Sequence, residues 1–290
     1  AAAKTVFEGK PEDVLAAPAV FHARDGNFAL VVRAVSFCQS EFYAVTADGA
    51  AHKLDLPLGA DVKGWIDGAL IVTLRQDWTV RGKTFPKGAL IAWRADAPTQ
   101  ILYAPGPRSS IEDVSVGRDA VYAAITDNVI GSIHAFRPGA KGWRQSKLVL
   151  PGSGTTAIIS TNDHGAEAFF SFQNYLTPTT LYFDSGDDKP RAIKSLPARF
   201  DASGMVSEQY FATSKDGTKI PYFVTRPKTL NGPAPTILYG YGGFEVSLTP
   251  SYSANFGRLW LSQGGIYVVA NIRGGGEFGP AWHDAALKEN

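Results

Sequence analysis

Cysteine is almost absent from this chain of 290 residues: Cys38 is the single one. That excludes an internal disulfide and any metal site built on several thiolates. Its neighbours Val35 and Phe37 predict a buried structural thiol. No apolar run reaches the ~18–20 residues of a membrane span. The opening Ala1-Ala2-Ala3-Lys4 has no signal-peptide pattern. Net charge is nearly absent too, since 28 Lys and Arg stand against 27 Asp and Glu. Such a balance gives no electrostatic footing for a nucleic acid or an anionic membrane as partner. Lys83, Lys87 and Arg94 read as solvated strand edges. Also missing is any Gly-x-Ser-x-Gly pentapeptide, so no serine here stands on a strand-to-helix elbow.

What is present is an ordinary globular composition, 44% apolar and 19% charged, in a chain long enough for two domains. The first two-thirds read as β throughout. Short runs rich in Val, Ile, Phe, Tyr and Leu alternate with Gly, Asp, Asn and Pro. A turn followed by a buried strand recurs at 26–32, 68–72, 119–123 and 165–170. A period of roughly 40–50 residues, with several strands in each, predicts one propeller blade per repeat. A β-sandwich with regular turns is the alternative. About four blades are expected, at the low end for a closed ring, so part of a larger propeller fits better.

The character changes near residue 200. Residues 196–204 read as a linker, and a hairpin follows around Lys215-Asp216-Gly217, the Asp-Gly pair being a strong turn cue. Pro221 predicts an edge or a strand start. A Pro/Gly-rich hinge (Pro227, Gly232, Pro233, Pro235) leads to an apolar strand at Ile237-Leu238. Between 253 and 262, Phe256, Leu259 and Trp260 have helical spacing, and Gly264-Gly265 supply a C-terminal cap. A buried strand at 266–270 precedes a helix from Pro280 through Lys288. Strand, helix, strand, helix begins an α/β layer.

Two glycine-rich segments carry chemistry. Tyr239-Gly240-Tyr241-Gly242-Gly243-Phe244 ends an apolar strand, where α/β-hydrolases place a loop that supplies half of an oxyanion hole. Tyr239 reads as packing on the sheet edge. Tyr241, between glycines, has little bulk to cover its hydroxyl. Gly274-Gly275-Gly276-Glu277-Phe278-Gly279 satisfies G-x-G-x-x-G between a strand and a helix, which keeps an NAD-dependent enzyme as an alternative. Pro280 argues against it, because it stands where a helix would offer N–H groups to a pyrophosphate.

Taken together, Tyr239 to Phe244, Leu248-Thr249-Pro250-Ser251-Tyr252-Ser253, Ala270-Asn271-Ile272-Arg273-Gly274-Gly275-Gly276-Glu277-Phe278-Gly279 and Trp282-His283 closely resemble the prolyl oligopeptidase family of serine peptidases. Ser214-Lys215-Asp216-Gly217-Thr218-Lys219-Ile220-Pro221 resembles the family where its chain returns from propeller to catalytic domain, and local similarity extends to 175–182. Phe244 after Gly-Gly favours the proline-directed branch over the one that cuts after basic residues. The resemblance implies that residues 1–200 are C-terminal blades of a β-propeller. It also implies that 201–290 are the N-terminal part of an α/β-hydrolase catalytic domain. Tyr241 then matches the oxyanion donor and Phe244 an aromatic of the proline pocket. His22, His52, His134, His164 and His283 are given no catalytic role, His283 being a helix-surface or sheet-packing residue.

The expected activity is hydrolysis of short peptides after proline through an acyl-enzyme. No metal or organic cofactor, nucleic acid or membrane is expected, and the parent protein is expected to be a soluble monomer of the cytoplasm or periplasm, the cytoplasm being favoured. A non-catalytic propeller that serves as a binding module stays open as an alternative. Without the nucleophile the 290-residue chain is expected to be inactive alone. The reading predicts a Gly-x-Ser-x-Gly motif within about 50 residues after Asn290, one helix and one strand further on. Sequencing the gene past that codon checks it, and an in-frame stop there contradicts it.

Overall fold

A computed structural model describes residues 4–37, 39–230 and 232–287; the expectations for Cys38 and Lys288 fall outside them. The first sheet is a meander of β1 (Leu15–Ala23), β2 (Gly26–Ser36), β3 (Gln39–Val45) and β4 (Ala51–Lys53). The second starts with β5 (Ala60–Ile66) and β6 (Ala69–Leu74), and a small hairpin of β7 (Trp78–Val80) and β8 (Lys83–Phe85) interrupts it. It then finishes with β9 (Leu90–Trp93) and β10 (Gln100–Tyr103). The third is β11 (Ser109–Val116), β12 (Val121–Asp127), β13 (Ile130–Arg137) and β14 (Arg144–Lys147). The fourth is β15 (Thr155–Thr161), β16 (Ala168–Gln173), β17 (Thr180–Asp184) and β18 (Arg191–Ser195).

The recurring apolar run of the sequence is the second strand of each sheet, and its burial explains its composition. In β6, Leu70 and Val72 join a core with Leu30 and Phe42 of the first sheet, while Ala69 and Ile71 face Val121, Ala123 and Ile125 of the third. In β12 the alternate residues Tyr122 and Ala124 meet Phe170 and Phe172 of the fourth. Both faces of β6 and β12 are therefore covered by neighbouring sheets, and continuous apolar runs replace the alternation of a half-exposed strand, whereas β16 alternates buried and half-buried residues. The first strands β1, β5, β11 and β15 contact in succession, which gives an arc of propeller-type blades. No closed ring is detected among the described residues.

The fifth sheet has the order β19 (Met205–Thr213), β20 (Lys219–Pro227), β22 (Ile266–Ala270), β21 (Thr236–Gly240). Its outer pair, β21 and β22, is parallel and joined through α1 (Ala254–Leu259) and a short 3-10 turn at Leu261–Gln263. Ser253 caps α1, and Gly264 ends the turn at φ 85°. The helix is shorter than its spacing predicts, and Leu259 is exposed, because only Phe256, stacked 4.3 Å from Tyr267, and Trp260 face the sheet. Pro221 lies inside β20, which is not an edge. It sits just beyond the last β22 pair, Tyr222 with Ala270, so its missing N–H costs no bond to β22. The terminal helix α2 covers Pro280–Asp284 only.

Blade and sheet meet at the β12–β13 turn. Val129 is wholly buried among Tyr175, Phe223, Val269, Phe278 and Trp282, and the Asn128 carbonyl accepts from Gln209 Nε2 at 2.6 Å. Thr155 Oγ1 donates to the Pro250 carbonyl at 2.7 Å, and Tyr252 N donates to Gln173 Oε1 at 3.2 Å. The segment 196–204 is anchored as well, with Phe200 stacked on Tyr252.

Blades three and four are tied by Arg137, which meets Asp188 at 2.7 Å, in the turn after the fully buried Asp184. Burial, with Asp187 beside it, pushes the Asp184 carboxyl up to about 6. The native state therefore binds more protons than the unfolded chain between about pH 4 and 6, and this group's contribution to stability falls as pH rises through that window. Asp184→Asn removes the titration. Its stability relative to wild type should rise by about 1–3 kcal/mol between pH 4 and 7.5. Urea unfolding at both pH values measures this, and a pH-independent difference contradicts it.

Candidate active site

Parallel pairing sets Gly240 beside Ala270, so the loops that follow β21 and β22 emerge at the same carboxyl end, where open α/β sheets bind ligands. The two loops stack backbone on backbone. A Cβ at Gly274 would collide with the Gly242 carbonyl, one at Gly242 with the Arg273 carbonyl, and one at Gly276 with the Glu245 carbonyl. Glu245 N donates to the Gly274 carbonyl at 3.2 Å, and Val246 N to the Gly243 carbonyl at 3.1 Å. Arg273 ties the second loop to the hairpin turn through Asp216 and Ser214.

Tyr241 stands on the first loop, 39% exposed. Its ring folds over Gly243, where a Cβ would lie 2.9 Å from Oη. No hydrogen-bond partner holds that hydroxyl among the described residues, so it is available as a donor. Phe244 is 88% exposed. Phe244 and Glu245 both lie in the left-handed region, at φ 55° and 57°, a conformation that costs an L-residue about 1–2 kcal/mol. Strain of this kind persists only where the surroundings fix it. Tyr239 is half-exposed on edge strand β21 and only partly packed.

Beneath the loops lies a carboxylate that the sequence reading quoted but gave no role. Glu277 is 0% exposed. Its Oε1 accepts from Leu248 N at 2.9 Å and from Asn271 Nδ2 at 3.1 Å, and the same Nδ2 donates to the Leu248 carbonyl at 2.7 Å. Tyr175, from the loop after β16, packs against Phe223 and Tyr267. Burial raises its hydroxyl far above the usual tyrosine range, with Tyr267 and Glu277 adding to the shift. The signal available in the sequence was a lone acid between three glycines and a phenylalanine, a poor setting for a solvated charge.

Among the described residues no histidine is hydrogen-bonded to the Tyr241 hydroxyl. His283 Nδ1 lies 2.7 Å from the Gly274 carbonyl, bracing the second loop. His134 bonds Gln145 and Ser132 within the third blade, and burial lowers its pKa. The dinucleotide alternative finds no room, because Gly274, Gly275 and Gly276 are buried against the first loop and the Glu277 carboxylate. A larger cleft, about 620 Å³, opens at the β11–β12 end of the blades, opposite the fifth sheet. Of its arginines, Arg118 is paired with Asp119 and Arg137 with Asp188.

Comparison with known proteins gives a consistent answer. Residues 1–195 match the family model described as prolyl oligopeptidase, N-terminal beta-propeller domain. An uncharacterised peptidase of Sinorhizobium fredii is 39% identical over 98% of this chain and 42% of its own length. A prolyl endopeptidase of Elizabethkingia miricola is 40% identical over 61% of this chain and 25% of its own. Among solved structures, a post-proline cleaving enzyme from Rickettsia typhi superimposes with a TM-score of 0.80 at 28% identity. The match covers 98% of this chain and 43% of that one. The chain thus spans about two-fifths of the length of the first and last of these relatives.

The stacked loops make a testable distinction between two glycines at positive φ. Gly217→Ala, in open space, should cost about 1–2 kcal/mol for its conformation alone. Gly274→Ala adds a backbone collision and should cost at least 2 kcal/mol more, in the overpacking range of about 1–3 kcal/mol. Equal losses in denaturant titrations would show that the loops do not stack as described.

Proposed function

The chain belongs to the prolyl oligopeptidase family, and from that premise we propose that it forms part of a serine endopeptidase that hydrolyses short peptides after proline. Residues 1–200 are assigned to propeller blades and 201–290 to the first part of an α/β-hydrolase catalytic domain. The observation that carries the reading is the Tyr241 hydroxyl, without a hydrogen-bond partner among the described residues and half-exposed at the carboxyl end of a parallel strand pair.

In the proposed reaction a serine, supplied by the part of the enzyme outside this chain, attacks the carbonyl carbon of the proline residue. The carbonyl π pair moves onto oxygen, and the Tyr241 O–H donates to the oxyanion as its charge develops. Collapse of the tetrahedral intermediate breaks the C–N bond, the departing amine taking up the proton that the serine hydroxyl gave up, and leaves an acyl-enzyme, which water hydrolyses to the free acid and the restored serine. Phe244 offers a flat apolar face to the substrate's proline ring. Its exposure and constrained backbone support that role, since a ring held out of the core has surface free for a ligand. The blades would screen the site so that short peptides enter and folded proteins do not. The chemistry requires no metal or organic cofactor, and the enzyme acts as a monomer.

In the longer enzyme Tyr241→Phe should lower kcat by about 10²–10³, the usual cost of one oxyanion donor. KM and the melting temperature should barely move, because the ring and its packing over Gly243 remain. Steady-state kinetics on a proline peptide, with chemistry rate-limiting, decide this. An unaltered kcat would reduce Tyr241 to a packing residue.

A further inference from the structure

Burying a carboxylate completely is costly, and an apolar side chain of the same shape would fill the space under the glycine loops at lower cost. What an apolar residue could not do is accept hydrogen bonds. Glu277 Oε1 takes two, from Leu248 N and Asn271 Nδ2, and each comes from a different loop. Leu248 closes the first loop, the one that carries Tyr241, while Asn271 opens the second. Asn271 completes the ring by donating to the Leu248 carbonyl. Its own N–H is fixed by the Pro221 carbonyl of β20 at 2.9 Å.

The other carboxylate oxygen, Oε2, lies against Gly275, so close that no Cβ could be accommodated there. Between this anchor and Tyr241 runs the strained pair Phe244 and Glu245, both at positive φ. A strained segment relaxes unless both its ends are held. One end is held by stacking on Gly274, and the other by the bond from Leu248 N to Glu277.

We propose that Glu277 is a positioning residue: with Asn271 it pins the end of the strained loop and so sets where the Tyr241 hydroxyl stands. The proposal rests on the reading of Tyr241 as oxyanion donor. It also reaches the blades. Tyr175, whose buried hydroxyl has no hydrogen-bond partner among the described residues, packs in one cluster with Phe278, the neighbour of Glu277, so the pin sits where the propeller meets the loops.

The test uses the full-length enzyme and a proline peptide substrate. Glu277→Met keeps volume and removes the acceptor, and Glu277→Gln keeps an acceptor for Leu248. Glu277→Met should lower kcat about 30- to 300-fold with KM changed less than about threefold, and Glu277→Gln should recover to within about tenfold of wild type. Residues that act through one group are not additive. In a Tyr241→Phe background, Glu277→Met should therefore cost less than about threefold more. Glu245→Gly, which relieves the strain, should return part of the lost kcat to Glu277→Met.

A Glu277→Met loss that multiplies in full with Tyr241→Phe, or no loss at all, overturns the proposal. If Tyr241→Phe itself leaves kcat unchanged, the failure lies in the oxyanion reading instead. Should Glu277→Met not yield soluble protein, Asn271→Ser is judged by the same non-additivity criterion.

Discussion

A single valine holds the architecture together at its most demanding point. Val129 lies in a tight turn of the third blade at φ 69°, a backbone conformation that β-branched residues almost never adopt. Positions of this kind cost about 1–3 kcal/mol. Full burial of a valine returns about 1.5–3 kcal/mol, and here it does so inside a cluster of four aromatics and Val269. The cluster draws on both parts of the chain. Tyr175 comes from the fourth blade, Phe223 and Val269 from two strands of the fifth sheet, and Phe278 and Trp282 from the end of the second glycine loop and α2. Fixing Val129 therefore fixes the blades, the sheet and the loop segment against one another.

That seat controls the geometry around Tyr241. Phe278 in the cluster directly follows Glu277, which bonds the ends of both loops. The hydroxyl of Tyr241 is thus free in itself yet carried on a backbone with little latitude, stacked below on Gly274 and pinned at Leu248. Rigid placement of a free donor is what oxyanion stabilisation demands, because the donor then reorganises little as charge develops. Glycine serves these loops less by flexibility than by absence of bulk. At Gly242 and Gly276 the backbone φ is unexceptional, and only close approach forbids a side chain.

Much of this was legible from the residues. The period of the turn-plus-strand motif located the second strand of every blade, most clearly in the second and third, where a strand covered on both faces must be apolar throughout, as 69–72 and 121–125 are. The Asp216-Gly217 turn and the Gly264 stop fell where short-range chemistry dictates. The length of the helix after Ser253 was not legible, since Leu259 satisfies helical spacing yet faces solvent. Nor was the role of Val129, whose positive φ is imposed by the burial it gains and not by local preference. Glu277 and Asn271 were visible as parts of a motif, but their pairing with Leu248 depends on how two loops 29 residues apart meet across a parallel strand pair. Hydrophobic periodicity carries no trace of that meeting.

The central claim is that the Tyr241 hydroxyl faces the reacting carbonyl. A crystal structure of the full-length enzyme with a peptide aldehyde ending in proline would report on it directly. The hemiacetal formed with the serine mimics the tetrahedral intermediate. The account predicts its oxygen within about 2.7–3.1 Å of Tyr241 Oη, with the loop unmoved and the inhibitor's proline ring on Phe244. A hemiacetal oxygen bound by other donors, with Tyr241 still folded over Gly243 and out of reach, would contradict it.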